Sequence, residues 1–229
     1  MKVLALGAHP DDIEIFMFGL LSIYKKRGDE VVTIVATDGS RGGSALGNSL
    51  KKKRRKETIL GLKKLSSPIF LDIPDGQLGD DPQHKKILNE QIFNIMPDLI
   101  ITHDKNDYHA DHRSLSLLVS SSASHYIPIL NCDTLMGINF KPNFYLDISD
   151  VFSKKIEAIL NHHSQEPQRF VDLAMLMNAY RAAQCNLPKG FYAEAYCFSP
   201  SFPFSNISQI LPPSPKLRPF YIDNHHGFL

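Results

Sequence analysis

The chain has 229 residues, 43% of them hydrophobic, with 25 basic against 24 acidic side chains and a formal net charge of +1. That length and apolar content suit one domain with a sizeable core, and the balanced charge offers no global field for nucleic acid or an acidic membrane. Cys132, Cys185 and Cys197 leave an odd thiol and form no C-x-x-C pair, which argues against a disulfide framework and for small buried hydrophobes in a reducing, cytoplasmic setting.

Met1-Lys2 leads straight into an apolar run without a signal-peptide pattern. No run approaches the ~20 residues of a membrane span, so no membrane partner is expected. Residues 3–6 read as a short buried strand. Gly7-Ala8 breaks the run, and His9-Pro10-Asp11-Asp12 follows at once. In an open α/β sheet, ligands bind beyond the carboxyl ends of the strands, so an imidazole and two acids stand where a site belongs. Such groups hold a divalent metal, most naturally zinc. A dinucleotide fold would place G-x-G-x-x-G in this turn; here two carboxylates would repel a pyrophosphate, and no GxxxxGK[ST] occurs.

Residues 31–36 form a β-branched strand. The basic run Lys51-Lys52-Lys53-Arg54-Arg55-Lys56 reads as a solvated helix start with one arginine turned to the site. Ile59, Leu60, Leu62 and Leu65 give residues 52–65 a helical period. Residues 68–73 form a third strand, 85–96 a helix, 99–102 a further strand, and a helix follows His112. This alternation predicts a mostly parallel sheet with helices on both faces and right-handed crossovers. Just past the 99–102 strand comes Asn106-Asp107-Tyr108-His109-Ala110-Asp111-His112-Arg113. Catalytic zinc takes about three protein ligands and keeps one position open, and the two clusters together can supply them.

The order of these segments resembles the LmbE/PIG-L family of zinc-dependent N-acetylglucosaminyl deacetylases. Its signatures are matched by His9-Pro10-Asp11-Asp12 and by His109-Ala110-Asp111-His112. Thr37-Asp38-Gly39-Ser40-Arg41-Gly42, the Arg-x-x-Glu of Arg54 and Glu57, Asp75-Gly76-Gln77-Leu78, the late helix from Lys155 to His162-His163-Ser164-Gln165, and Tyr192-Ala193-Glu194-Ala195-Tyr196 fit further family segments. The resemblance covers residues 1–200 and implies a Rossmann-like three-layer αβα sandwich, an LmbE-like α/β fold. It implies one zinc, or another divalent metal, on His9, Asp12 and His112. Asp11 would be the general base toward the attacking water. His109 would serve as an imidazolium supporting the oxyanion or the leaving amine, with Asp111 orienting it; a helix N-terminal acid is the plainer reading of Asp111. Arg54, Ser40 and Arg41 are the expected substrate contacts. Asp98 reads as the anchor of a strand start, Glu14 as a supporting or helix N-terminal acid, and His103, His162 and His163 as surface or structural residues.

The implied activity is removal of acetyl from an N-acetylated amino sugar on a small-molecule conjugate. A catalytically silent sugar- or metal-binding module and a metal phosphoesterase are the rival readings; the second would want more bridging carboxylates. Two departures stand out: Ile15-Phe16-Met17-Phe18-Gly19 is bulky where the family is glycine-rich, and Ala110 replaces a common proline. In residues 201–229, prolines at 203, 212, 213, 215 and 219 break any regular pattern, while Phe202, Phe204, Ile210, Leu211, Phe220 and Tyr221 are too apolar for free solvation. This extension is expected to pack on the domain or on a partner subunit, which is compatible with a homo-oligomer.

Overall fold

The structure is a computed structural model that describes residues 1–42, 47–79, 81–123, 127–198, 210–213 and 215. Its strands are β1 (Lys2–Gly7), β2 (Glu30–Thr37), β3 (Ile69–Ile73), β4 (Leu99–Thr102), β5 (Ile129–Cys132), β6 (Phe144–Asp147) and β7 (Ala193–Phe198). They form one sheet in the order β3-β2-β1-β4-β5-β7-β6. Pairing is parallel from β3 to β5, and β7 runs antiparallel to both β5 and β6. The helices are α1 (Asp12–Phe16), α2 (Phe18–Arg27), α3 (Asn48–Leu62), α4 (Pro82–Ile95), α5 (Ala110–Ala123), α6 (Phe152–Leu160) and α7 (Pro167–Gln184).

β1 is apolar on both faces because both faces are covered. Val3 and Ala5 enter a core shared with α1, α2, α6 and α7, whereas Leu4 and Leu6 enter a second core with α4 and α5. This is the mostly parallel αβα sandwich that the alternation predicts. β1 and β4 are neighbours, yet the helices that follow them cover opposite faces. A crevice therefore opens between their carboxyl ends, the usual ligand position in such sheets. Asp98 does anchor the start of β4, since its Oδ2 accepts from Lys2 N–H at 2.7 Å.

The bulky segment after the first cluster breaks the helix at Met17. Met17 and Phe18 enter the core, while Ile15 and Phe16 face the pocket described below. The start of α2 is pinned to β7. Buried Glu194 accepts from Gly19 N–H (2.9 Å), Leu20 N–H (2.8 Å), Lys155 Nζ (2.8 Å) and the Tyr196 hydroxyl (2.7 Å). A carboxylate on the first amides of a helix satisfies donors that have no intrahelical partner. A Cβ on Gly19 would stand 2.5 Å from Ile148 Cγ2 and 2.8 Å from Glu194 Oε1. Gly19→Ala is expected to destabilise the fold by about 1–3 kcal/mol through overpacking. Thermal unfolding checks this, and an unchanged midpoint would show that α2 can move off β7 at no cost.

The expected 201–229 extension lies outside the described residues except for 210–213 and 215. There, Ile210 and Leu211 pack against the first core, and the Tyr24 hydroxyl donates to Ile210 O at 3.0 Å. Among the described residues no helix is long and apolar enough to cross a membrane.

Candidate metal centre

The turn after β1 carries His9, Asp11 and Asp12; the segment after β4 carries His103, Asp107 and His109 and enters α5 with Asp111 and His112. His9 Nδ1 lies 3.3 Å from His112 Nε2 and 3.4 Å from Asp12 Oδ2. His112 Nε2 lies 3.2 Å from the same oxygen. A tetrahedral zinc with bonds of about 2.0–2.1 Å holds its ligands about 3.3 Å apart, so the triangle has the edges such an ion requires. All three side chains are buried.

Other triads overlap this one: His9, His109 and His112; Asp12, His103 and His112; His9, Asp75 and Asp111. His109 Nδ1 accepts from Asp111 N–H at 3.2 Å, while His103 Nε2 lies 3.1 Å from both Ala8 N and Asp12 Oδ2, so it shares that oxygen with His9 and His112. His9 Nε2 faces Asp111 Oδ2 at 3.2 Å and Asp75 Oδ1 at 3.5 Å. His112 Nδ1 faces Asp107 Oδ2 at 3.1 Å. His9 and His112 each have a carboxylate behind the ring, the kind of neighbour that raises an imidazole's basicity toward a metal.

The charge balance favours a cation in the triangle. Burial alone would push His9 and His112 down. Instead Asp111, Asp12 and Asp75 hold His9 well above the ordinary histidine range, and Asp12 and Asp107 bring His112 to about 9. Burial would raise Asp12, but His112 and His103 hold it well below the usual carboxylate range. His103 is fully buried rather than at the surface; burial and His112 push it down to about 4, and its ring stacks on His112 at 3.7 Å.

Asp11 has φ 122°, ψ −24°, a backbone region that costs a non-glycine residue about 1–3 kcal/mol. Two bonds hold it there: Ile15 N–H donates to its carbonyl (3.0 Å), and Arg54 Nη2 donates to Asp11 Oδ2 (3.1 Å). Burial pushes the Asp11 carboxyl up, with Arg54 opposing. Arg54 also donates to Pro10 O and Gly39 O. It is the buried member of the basic run, and its ion pair is with Asp11.

These residues line an open pocket of about 260 Å³ with Arg41, Gln165 and an apolar wall of Phe16, Leu135 and Phe170. Ser40 is not on that lining; it belongs to a turn in which its N–H donates to Asp38 Oδ1 at 3.0 Å. Asp111 departs from its expected role. Its carboxylate turns away from His109, facing His9 and accepting from Gly76 N–H (2.8 Å) and Leu78 N–H (3.3 Å). Only its backbone N–H orients His109, which leaves Nε2 of the neutral ring to carry the hydrogen. Burial, then His9 and His112, hold His109 below the ordinary histidine range. Sequence reasoning gave no role to Asp75, Asp107, Tyr108 or Phe170, although Asp75 lies in the quoted Asp75-Gly76-Gln77-Leu78 segment and Asp107 and Tyr108 in the second cluster.

His162 and Glu14 are both fully buried, and His162 Nε2 donates to Glu14 Oε1 at 2.8 Å. Burial would lower His162, but Glu14, by charge and hydrogen bond, raises it above its ordinary 6.5. A folded pKa above the unfolded one gives stability that is full below about pH 6.5 and is lost as pH rises through the folded value. His162→Gln is expected to cost about 3 kcal/mol near pH 6, because it strands a buried carboxylate, and less above pH 8. Urea unfolding at the two pH values measures the difference, and an equal cost at both would show that the ring is neutral throughout. His163 is exposed.

The sequence profile of the GlcNAc-PI de-N-acetylase (PIG-L) family matches residues 4–123. A diacetylchitobiose deacetylase of Thermococcus kodakarensis is 30% identical over 192 residues, covering 73% of this chain and 71% of that protein. The crystal structure of an N,N'-diacetylchitobiose deacetylase from Pyrococcus horikoshii superposes with a TM-score of 0.79 at 23% identity, covering 92% of this chain and 88% of that one. A 4-carboxy-2-hydroxymuconate hydratase from Pseudomonas putida KT2440 shares the fold at a TM-score of 0.73 and 20% identity, over 86% of this chain and 95% of that one.

Proposed function

The chain belongs to the GlcNAc-PI de-N-acetylase (PIG-L) family, and from that premise we propose that it is a zinc-dependent hydrolase removing the N-acetyl group from an N-acetylglucosamine-type conjugate. The observation that carries this reading is the zinc-sized triangle of His9, Asp12 and His112 beside Asp11, in the pocket that His109 also lines. The fold alone would not decide, since a hydratase shares it.

When bound on His9, Asp12 and His112, the ion supplies Lewis acidity toward water and the amide carbonyl. Asp11 takes a proton from the attacking water as its oxygen bonds to the amide carbon. Burial, which raises the Asp11 carboxyl, makes it a better base, and Arg54 holds it in place. His109 Nε2–H donates to the carbonyl oxygen as that atom gains negative charge. The C–N bond then breaks, and the amine leaves with the proton that Asp11 took. Arg41 is the substrate contact on the pocket wall. A two-metal phosphoesterase would need carboxylates to spare for a second ion, and Asp75, Asp107 and Asp111 already face His9 and His112.

Acetate release from N-acetylglucosamine conjugates, before and after chelation and zinc return, tests the proposal. Release that is lost on chelation and restored by zinc is the expected result. Phosphate release from phosphorylated analogues without acetate release would replace it with the phosphoesterase reading.

A further inference from the structure

His103 has no part in the chemistry set out above, yet it is the most enclosed imidazole of the cluster. It is fully buried and lies off the pocket lining. A polar ring held in the interior must find partners there, and those of His103 are the two elements that carry the ligand triangle. The residue follows directly on β4. Its edge meets the turn after β1, where Nε2 lies 3.1 Å from both Ala8 N and Asp12 Oδ2. With its hydrogen on Nε2 the ring donates to that carboxylate; with its hydrogen on Nδ1 it accepts from Ala8 N–H. Either way the edge is tied to the turn that holds His9 and Asp12. Its face meets α5, lying flat on His112 with centroids 3.7 Å apart and planes 12° apart. From behind, β5 holds His103 in place: Asn131 Nδ2 donates to its carbonyl at 2.7 Å, and Cys132 Sγ lies 3.9 Å from Nδ1. In front, the bulky Phe16 stands edge-on to both rings, 6.0 Å from His103 and 6.2 Å from His112.

Near-parallel stacking also keeps His103 from being a ligand beside His112. An imidazole binds an ion in the plane of its ring, so an ion in the plane of His112 stands out of the plane of His103. We propose that His103 is a positioning residue for the metal, a wedge on β4 that sets the spacing between the ligands of the β1 turn and the ligand of α5. The stack fixes the tilt of the His112 ring, and Asp107 at Nδ1, 3.1 Å away, fixes its direction within the plane. The edge contact holds the β1 turn at the matching height. Ligands locked in this way by packing and by hydrogen bonds from outside the coordination shell stand ready before the ion arrives. The inference rests on the zinc reading and adds a residue that touches neither the ion nor the pocket.

The test divides the wedge into its parts. His103→Phe keeps a flat face for His112 and loses the edge nitrogen, His103→Gln keeps a polar end and loses the face, and His103→Ala loses both. For the parent and each variant, zinc affinity is measured by competition with a chromogenic chelator. The visible spectrum of the cobalt-loaded protein and the thermal midpoint of the metal-free protein are recorded beside it. His103→Ala is expected to weaken zinc binding by about 10–100-fold, as loss of a group supporting the ligands does, and to shift or broaden the cobalt bands. His103→Phe and His103→Gln should each recover part of the affinity. A merely structural histidine would lower the midpoint and leave zinc affinity and the cobalt bands as in the parent; that result overturns the inference. Should His103→Ala fail to fold, the other two variants decide: weaker zinc binding in either, with altered cobalt bands, sustains the inference, and parent-like binding and bands in both overturn it. A parent that takes up no zinc overturns the zinc reading and the inference with it, whereas a parent and variants that bind zinc alike overturn the inference alone.

Discussion

Asp11→Asn is expected to lower the rate of acetate release by about 10²–10⁴-fold, the usual worth of a positioned general base, while zinc stays bound. The amide keeps the volume of the side chain and an oxygen to accept from Arg54, so the turn after β1 should hold its shape. What is lost is the capacity to take a proton from water. The measurement is kcat together with zinc content and thermal midpoint. A rate within about tenfold of the parent, with zinc in place, would remove Asp11 from the chemistry and turn attention to His109. A rate loss accompanied by zinc loss would instead mean that Asp11 shapes the ligand turn.

His112→Ala is expected to remove stoichiometric zinc binding and with it all turnover, because it takes one corner from the triangle. Asp107→Asn is the graded companion. It leaves all three ligands in place but removes the negative charge behind His112 Nδ1, 3.1 Å away. Loss of such a backing group costs about 10–100-fold in metal affinity or activity. Competition with a chromogenic chelator gives both affinities. If Asp107→Asn binds zinc as tightly as the parent, the Asp107–His112 contact adds nothing to the grip of His112 on the ion.

Both clusters that hold the proposed ligand triangle were legible in the sequence because each begins at the end of an apolar run, and strand ends in an α/β sheet are where sites form. The 99–102 strand and its exit were read with the observed bounds, since three apolar residues and a threonine followed by charged ones leave little choice of register. The segments that hold the backing carboxylates stood out in the sequence, but the backing role did not. Asp75 and Asp107 are single residues whose meaning depends on how β3 and β4 are placed beside β1, and no periodicity carries that. The direction of Asp111 was also hidden. Its position at the start of α5 was clear, but whether the carboxylate turns toward His109 or His9 is decided by the amides of Gly76 and Leu78, which arrive from another loop. His103 was read as surface or structural for the same reason: burial comes from the packing of α1 and α5 around it. α7, β5 and β6 went unread. α7 carries a weak amphipathic pattern with exposed Met175, Leu176 and Tyr180, and the antiparallel placement of β7 between β5 and β6 is a long-range choice that short strands do not advertise.

The adjacency of β1 and β4 has a consequence for how the molecule comes into being. His9 and Asp12 leave the ribosome early, and His112 leaves only after β2, β3 and their helices have been made. The triangle cannot exist until the chain has closed the crossover that brings β4 against β1, a long-range step of the kind that slows folding. On the proposed ligand set, zinc capture would be a late event in biosynthesis, and a nascent chain halted before α5 would hold no site to fill. In refolding experiments, uptake of the ion would time that single closure, separately from the growth of helices or the burial of either core.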